Sequence, residues 1–217
     1  EPIYEDMAFA AGLTAHRPYT GNTAQPSTGW HAQFSDMNND TWPDLFIAKG
    51  NVEAMPNFAA FDPDNLLLGQ PDGTFVESGE QAGIALDRRG RGAAIEDFNA
   101  DGRLDLIVIN REDQPALFTS HGPVGAHASA QAMGNFLRVE LSNGTINPQG
   151  VGASVSVKTG NRFQTQTLSV GGGHASGQAG FLHFGLGQAE GAQVRVKWPQ
   201  GGWSAPFQVF ANSHVIL

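Results

Sequence analysis

The sequence predicts an all-β chain in which two strand-and-turn repeats are followed by a small antiparallel sandwich or barrel. Three observations carry that expectation. The 217 residues include 28 glycines and 12 prolines with only 15% charged residues, a composition punctuated by turns that suits short strands. The stretch from Gly29 to Ala48 recurs 61 residues later, from Gly90 to Ile109. Beyond residue 134, apolar and polar residues alternate with the period of a half-buried strand.

Each copy of the repeat reads as a strand, a loop rich in Asp and Asn, and a second, strongly apolar strand. Leu104 to Ile109 is a continuous apolar run, the pattern of a strand buried on both faces. Between the copies, Asn65 to Gly69 and Pro71 to Val76 form another strand pair, with Asp72-Gly73 as the hairpin signal. Four strands per repeat is the content of one propeller blade. Tyr4 to Leu13 and Phe75 to Ile84 also match each other, so the unit begins near residue 4. The predicted organisation is repeats over 1–121, a Gly-, Ala-, Ser- and His-rich linker over 122–134, and a second β domain over 135–217. In that last part, 135–141, 153–158, 163–170, 181–184 and 192–198 read as strands, with Asn143-Gly144 and Thr159-Gly160-Asn161 as turns.

The loops carry the chemistry. Asp97, Asn99, Asp101 and Asp105 occupy positions 1, 3, 5 and 9 of a nine-residue loop with Gly102 at position 6. Calcium takes about 6–8 oxygen ligands, and alternate residues of a tight loop point inward. Those four side chains, the Arg103 carbonyl and waters make a suitable shell, and Gly102 permits the positive φ that brings Asp105 back. The first copy offers Asp36, Asn38, Asp40, Asp44 and the Trp42 carbonyl, with Thr41 at the glycine position. A β-branched residue resists positive φ, so two calcium sites are expected, the first the weaker. Strands flank the loops and no Glu stands at position 12, which excludes an EF-hand.

With no cysteine, a disulfide framework, a thiolate metal site and a Cys nucleophile are all excluded. A net charge of −9 argues against a nucleic-acid partner. No apolar run is long enough for a transmembrane helix. Glu1-Pro2-Ile3-Tyr4 lacks the features of a signal peptide, as expected of a mature secreted chain, extracellular or periplasmic. His183 reads as a structural residue within an apolar strand, and His121, His127 and His174 show no metal-ligand spacing. Gly171-Gly172-Gly173 and Gly185-Leu186-Gly187 suit tight turns or bulges better than a phosphate cradle, Asp62-Pro63-Asp64-Asn65 a solvated loop, and Trp203 an exposed ring.

The two loops and their flanking strands resemble the FG-GAP/VCBS repeats of integrin-α-like propellers, whose blades carry calcium loops of this form. Asn147 to Val157, Val170 to Gly173, His183 to Gly187 and Val194 to Gly201 resemble the ASPIC/UnbV domain that follows such repeats in the cartilage acidic protein family. The resemblance implies a non-enzymatic, calcium-stabilised module of adhesion or scaffolding, bound to another protein chain or, second, to a glycan. A closed propeller needs about 4–8 blades and two repeats are present, so a partner or larger assembly is expected. The competing expectation is the C-terminal piece or a non-catalytic subunit of a secreted or membrane-associated enzyme complex.

Overall fold

In a computed structural model of the chain, residues 3–14, 28–52, 60–122, 133–178 and 180–217 are described. Sixteen strands and no helix are found among them. The N-terminal part holds β1 (Gly29–Ser35), β2 (Asp44–Lys49), β3 (Asn65–Gly69), β4 (Phe75–Glu77), β5 (Gly90–Glu96), β6 (Asp105–Asn110) and β7 (Ala116–Phe118). The C-terminal part holds β8 (Asn135–Glu140), β9 (Ser154–Thr159), β10 (Arg162–Thr167), β11 (Gly171–Gly173), β12 (Ser176–Gln178), β13 (Leu182–Gly187), β14 (Gly191–Lys197), β15 (Phe207–Phe210) and β16 (Ser213–Ile216).

Each repeat becomes one antiparallel meander. The first sheet runs β1-β2-β3-β4, and the second runs β5-β6-β7, three strands where the repeat unit suggested four. β3 and β4 meet through the expected turn, with Gly73 at φ 85° and the Gln70 amide bonded to the Thr74 carbonyl. The sheets face each other across Phe46, Ala48 and Leu66 on one side and Ala93, Ile95, Leu106 and Val108 on the other. Burial of the second apolar strand is one-sided: Leu106 and Val108 are in this core, but Ile109 on the opposite face is 43% exposed. The internal match at 4–13 has a structural counterpart. Ala11, Gly12 and Leu13 bond back to Met7, Phe9 and Ala8 as Ala82, Gly83 and Ile84 do to Ser78, Glu80 and Gly79, with φ of 77° and 75° at the glycines.

The C-terminal part is a sandwich, not a closed barrel. One sheet has the order β10-β9-β14-β15 and the other β13-β8-β16, around Leu137, Val139, Val155, Val157, Phe184, Leu186, Val194 and Val196. One pairing departs from the antiparallel expectation: β16 runs parallel to β8, because the chain leaves β15 in one sheet and crosses directly to the other. The Gly185–Gly187 segment is a register shift within β13, as a bulge requires. Gly171–Gly173, in contrast, forms the short strand β11 paired with β12. That hairpin docks on the first repeat, where the Ser176 hydroxyl lies 2.9 Å from His31 Nδ1 and the His174 ring 4.9 Å from that of Trp30.

The Asp62–Asn65 segment is not a solvated loop. Asp62, 1% exposed, pairs with Lys49 Nζ at 2.9 Å, and Asp64 accepts the Lys49 amide. Both carboxylates turn inward because a buried lysine and a strand-end N–H need acceptors there. Most of the linker expected over 122–134 lies outside the described residues.

Candidate metal centre at paired aspartate loops

The two Asp loops are built from the same hydrogen bonds. The first carboxylate of each accepts two amides, Asp40 and Thr41 for Asp36 (2.9 and 2.8 Å), Asp101 and Gly102 for Asp97 (3.0 and 2.9 Å). The last carboxylate accepts one amide within the loop and one from outside it, Met37 and Gly69 of β3 for Asp44, Phe98 and Ser120 just beyond β7 for Asp105. In both loops the position-3 Asn donates to the position-5 Asp and accepts its amide. The position-5 carboxylate takes the amide of residue 7, Trp42 or Arg103. Such networks are how short Asx-rich loops hold their shape.

The backbone is duplicated as closely. Thr41 and Gly102 sit at φ of 81° and 83°, and Asn39 and Ala100 both at 59°. Thr41 therefore adopts the conformation that its β-branch disfavours, which stores strain of about 1–3 kcal/mol. The environments of residue 7 differ. The Arg162 guanidinium lies 3.4 Å over the Trp42 ring, while Arg103 Nη2 pairs with the Asp101 carboxylate in its own loop.

Asp36, Asp44, Asp97 and Asp105 are all buried, Asp44 completely. Burial, reinforced by repulsion from Asp44 and Asp40, pushes the Asp36 carboxyl up to about 8, and burial likewise pushes Asp44 to about 7. Among the described residues, no three His, Asp or Glu side chains converge into a metal cluster by themselves. The donor chemistry nonetheless fits a hard cation: each loop brings three carboxylates, an amide oxygen and a carbonyl, and positive charge would relieve the repulsion that raises Asp36.

The loops do not stand free. Asn39, 1% exposed, donates from Nδ2 to the Gly102 carbonyl of the other loop at 3.0 Å and accepts at Oδ1 from His183 Nε2 at 2.6 Å. Its own carbonyl accepts the Gly187 amide, and the Asn38 carbonyl accepts that of Gly134. Gly185 is required by this approach, since a Cβ there would overlap Asp36 Oδ2. The Phe136 ring covers Gly102 and lies parallel to the His183 ring at 6.0 Å. With Nε2 donating to Asn39, Nδ1 of His183 carries the lone pair and has no hydrogen-bond partner among the described residues. Burial holds this imidazole neutral and lowers its pKa to about 4.

A family model described as an FG-GAP-like repeat matches residues 36–108, which begins at the first Asp loop and takes in the second. One described as ASPIC and UnbV matches residues 143–216, most of the sandwich. The chain thus matches, in succession, a model of an FG-GAP-like repeat and a model of ASPIC and UnbV. Cartilage acidic protein 1 of Xenopus tropicalis is 31% identical over 117 residues, 53% of this chain and 17% of that protein. The Mus musculus and Homo sapiens proteins of the same name are each 30% identical over 115 residues, 52% of this chain and 17% and 16% of theirs. The chain thus corresponds to a small fraction of these relatives' length. No helix among the described residues is long and apolar enough to cross a membrane.

The ten residues singled out in the sequence fall in these two loops, Asp36, Asn38, Asp40, Trp42 and Asp44 in one and Asp97, Asn99, Asp101, Arg103 and Asp105 in the other. Sequence reasoning passed over Asn39 and Phe136 and read Gly185 only as part of a turn or bulge, although all three seat the loops on the sandwich. One signal was available: the fourth loop position is Asn in one copy and Ala in the other, and an Asn at positive φ is a favoured choice.

Proposed function

We propose that this chain is a calcium-stabilised extracellular module that holds a protein or glycan partner within a larger assembly. The observation that carries the reading is the duplication of a buried, carboxylate-rich loop down to its individual hydrogen bonds, with Asp36 and Asp44 pushed well above the usual carboxylate range. Asp36, Asn38, Asp40, Asp44 and the Trp42 carbonyl would hold one ion, and Asp97, Asn99, Asp101, Asp105 and the Arg103 carbonyl the other. A bound calcium supplies the charge that lets the two buried carboxylates of each loop, and the half-buried one between them, stay ionised. The extracellular setting draws on the matched repeat and relatives; a periplasmic one has no support there.

Isothermal titration of chelator-treated protein tests the reading. Two calcium ions per chain are expected, the first loop binding more weakly because of Thr41, together with a rise in melting temperature. Absence of calcium binding in the folded protein would remove the calcium from the proposal, and equal affinities would remove the ranking.

A further inference from the structure

The sheet β10-β9-β14-β15 buries Val155, Val157, Ala192, Val194 and Val196 on one face. Its other face has an unusual charge distribution. Phe163, Lys158, Gln193 and Gln208 stand in one register row across all four strands. The next row is Thr165, Ser156 and Arg195, and the one after it Thr167, Ser154 and Lys197. None of the four strands contains an Asp or Glu, although the chain as a whole carries −9. Lys49, Arg88, Arg89, Arg103 and Arg111 are each ion-paired. Lys158, Arg195 and Lys197 make no ion pair with any described residue. Aromatic rings border the same face: Phe163 (65% exposed) lies 5.3 Å from Lys158 Nζ, and Trp203 lies 5.6 Å from the Arg195 guanidinium. Phe210, 83% exposed, rims a cleft of about 500 Å³ that Lys158, Gln193, Gln208 and Glu190 also line.

We propose that this face binds an acidic polysaccharide. The three cations meet carboxylate or sulfate groups, the glutamine amides and Ser/Thr hydroxyls meet ring hydroxyls, and the exposed rings stack on apolar sugar faces. Amides and hydroxyls between the cations suit a ligand dense in hydroxyl groups. A duplex nucleic acid carries one charge per ~1.7 Å of axis, a density that three cations on a net-negative chain do not match. The inference rests on the binding-module reading and names its ligand class.

The test is binding of the full chain, with calcium present, to polygalacturonate (carboxylate), heparin (sulfate), neutral dextran and a single-stranded oligothymidine. Binding to one or both acidic polysaccharides that weakens with salt, no binding to dextran, and weaker binding to the oligonucleotide are expected. The paired substitution Arg195→Gln/Lys197→Gln is expected to weaken it about tenfold or more, and Phe210→Ser, at an exposed site, severalfold, with the melting temperature of both variants unchanged. The proposal is overturned by no binding to either acidic polymer, by equal binding to dextran, by tighter binding to the oligonucleotide, or by folded variants that bind like the parent. Heparin against polygalacturonate tells which anion is preferred. Calcium titration of the same preparation separates the two claims: calcium binding without polysaccharide binding sinks this inference alone, and polysaccharide binding without calcium binding sinks only the calcium reading.

Discussion

Thr41 and Gly102 show how one backbone geometry is imposed on two different residues. Both stand at φ near 80°, one with a β-branch and one without a Cβ. Thr41→Gly is therefore expected to raise stability by up to about 1 kcal/mol and to bring the first loop's calcium affinity toward the second's, read by thermal unfolding and titration. Gly102→Ala runs the other way, because the added Cβ meets the Phe136 ring; a loss of melting temperature is expected with or without calcium. His183 makes a pH prediction. Its folded pKa, about 4, lies below the ordinary 6.5, so between these values the unfolded chain binds a proton that the folded chain refuses. Its contribution is complete above 6.5 and is lost as pH falls toward 4, amounting to about 2 kcal/mol between roughly pH 7 and pH 5. Burial raises Asp64 and Glu96 to about 7, so their contribution runs oppositely and fades as pH rises toward 7. The His183 effect is accordingly read as the difference between the parent and His183→Gln, whose amide can still donate to Asn39. Identical pH profiles would contradict it.

At the scale of elements, each loop is a hairpin connection whose shape is set by its own amides and whose position is set by the other half of the chain. Asn39 joins the two loops to each other and both to β13. Asn39→Ala leaves the Gly102 carbonyl and His183 Nε2 without that partner, so a destabilisation of about 2–3 kcal/mol is expected by chemical denaturation. A cost within error of zero would mean that solvent replaces the Asn. The ligand-type residues of both loops were legible because alternate oxygen-bearing residues in a nine-residue loop are a local pattern. The seat under the loops was not, because Asn39 and His183 lie 144 residues apart. The strand pattern was equally legible for β9 and β14, whose alternation sorts valines inward, and less so for β6. Its unbroken apolar run suggested two buried faces where one is half open, because hydrophobic run length does not count the layers packed on a strand.

For the whole molecule, the loops form part of the contact between repeat and sandwich, so removing cations should be felt on both sides of it. Hydrogen exchange of chelated protein is expected to lose protection together in 36–44, 97–105 and 183–187. Loss confined to the loops would show that the sandwich seat is rigid without metal. Native mass spectrometry with and without chelator addresses the expected assembly, which should weaken when calcium is withdrawn.

The sequence by itself determined the strand-rich class, the duplicated unit, the two nine-residue loops and the alternation that builds the sandwich, since each is encoded within a few neighbouring residues. Only the tertiary structure decided that Gly185 and His183 receive those loops, that Asp62 and Asp64 turn inward to Lys49, and that Lys158, Arg195 and Lys197 gather on one face without an ion pair among the described residues. Those outcomes depend on which strands become neighbours and how layers stack. That is fixed by burial summed over the whole chain, so no local stretch of residues contains it.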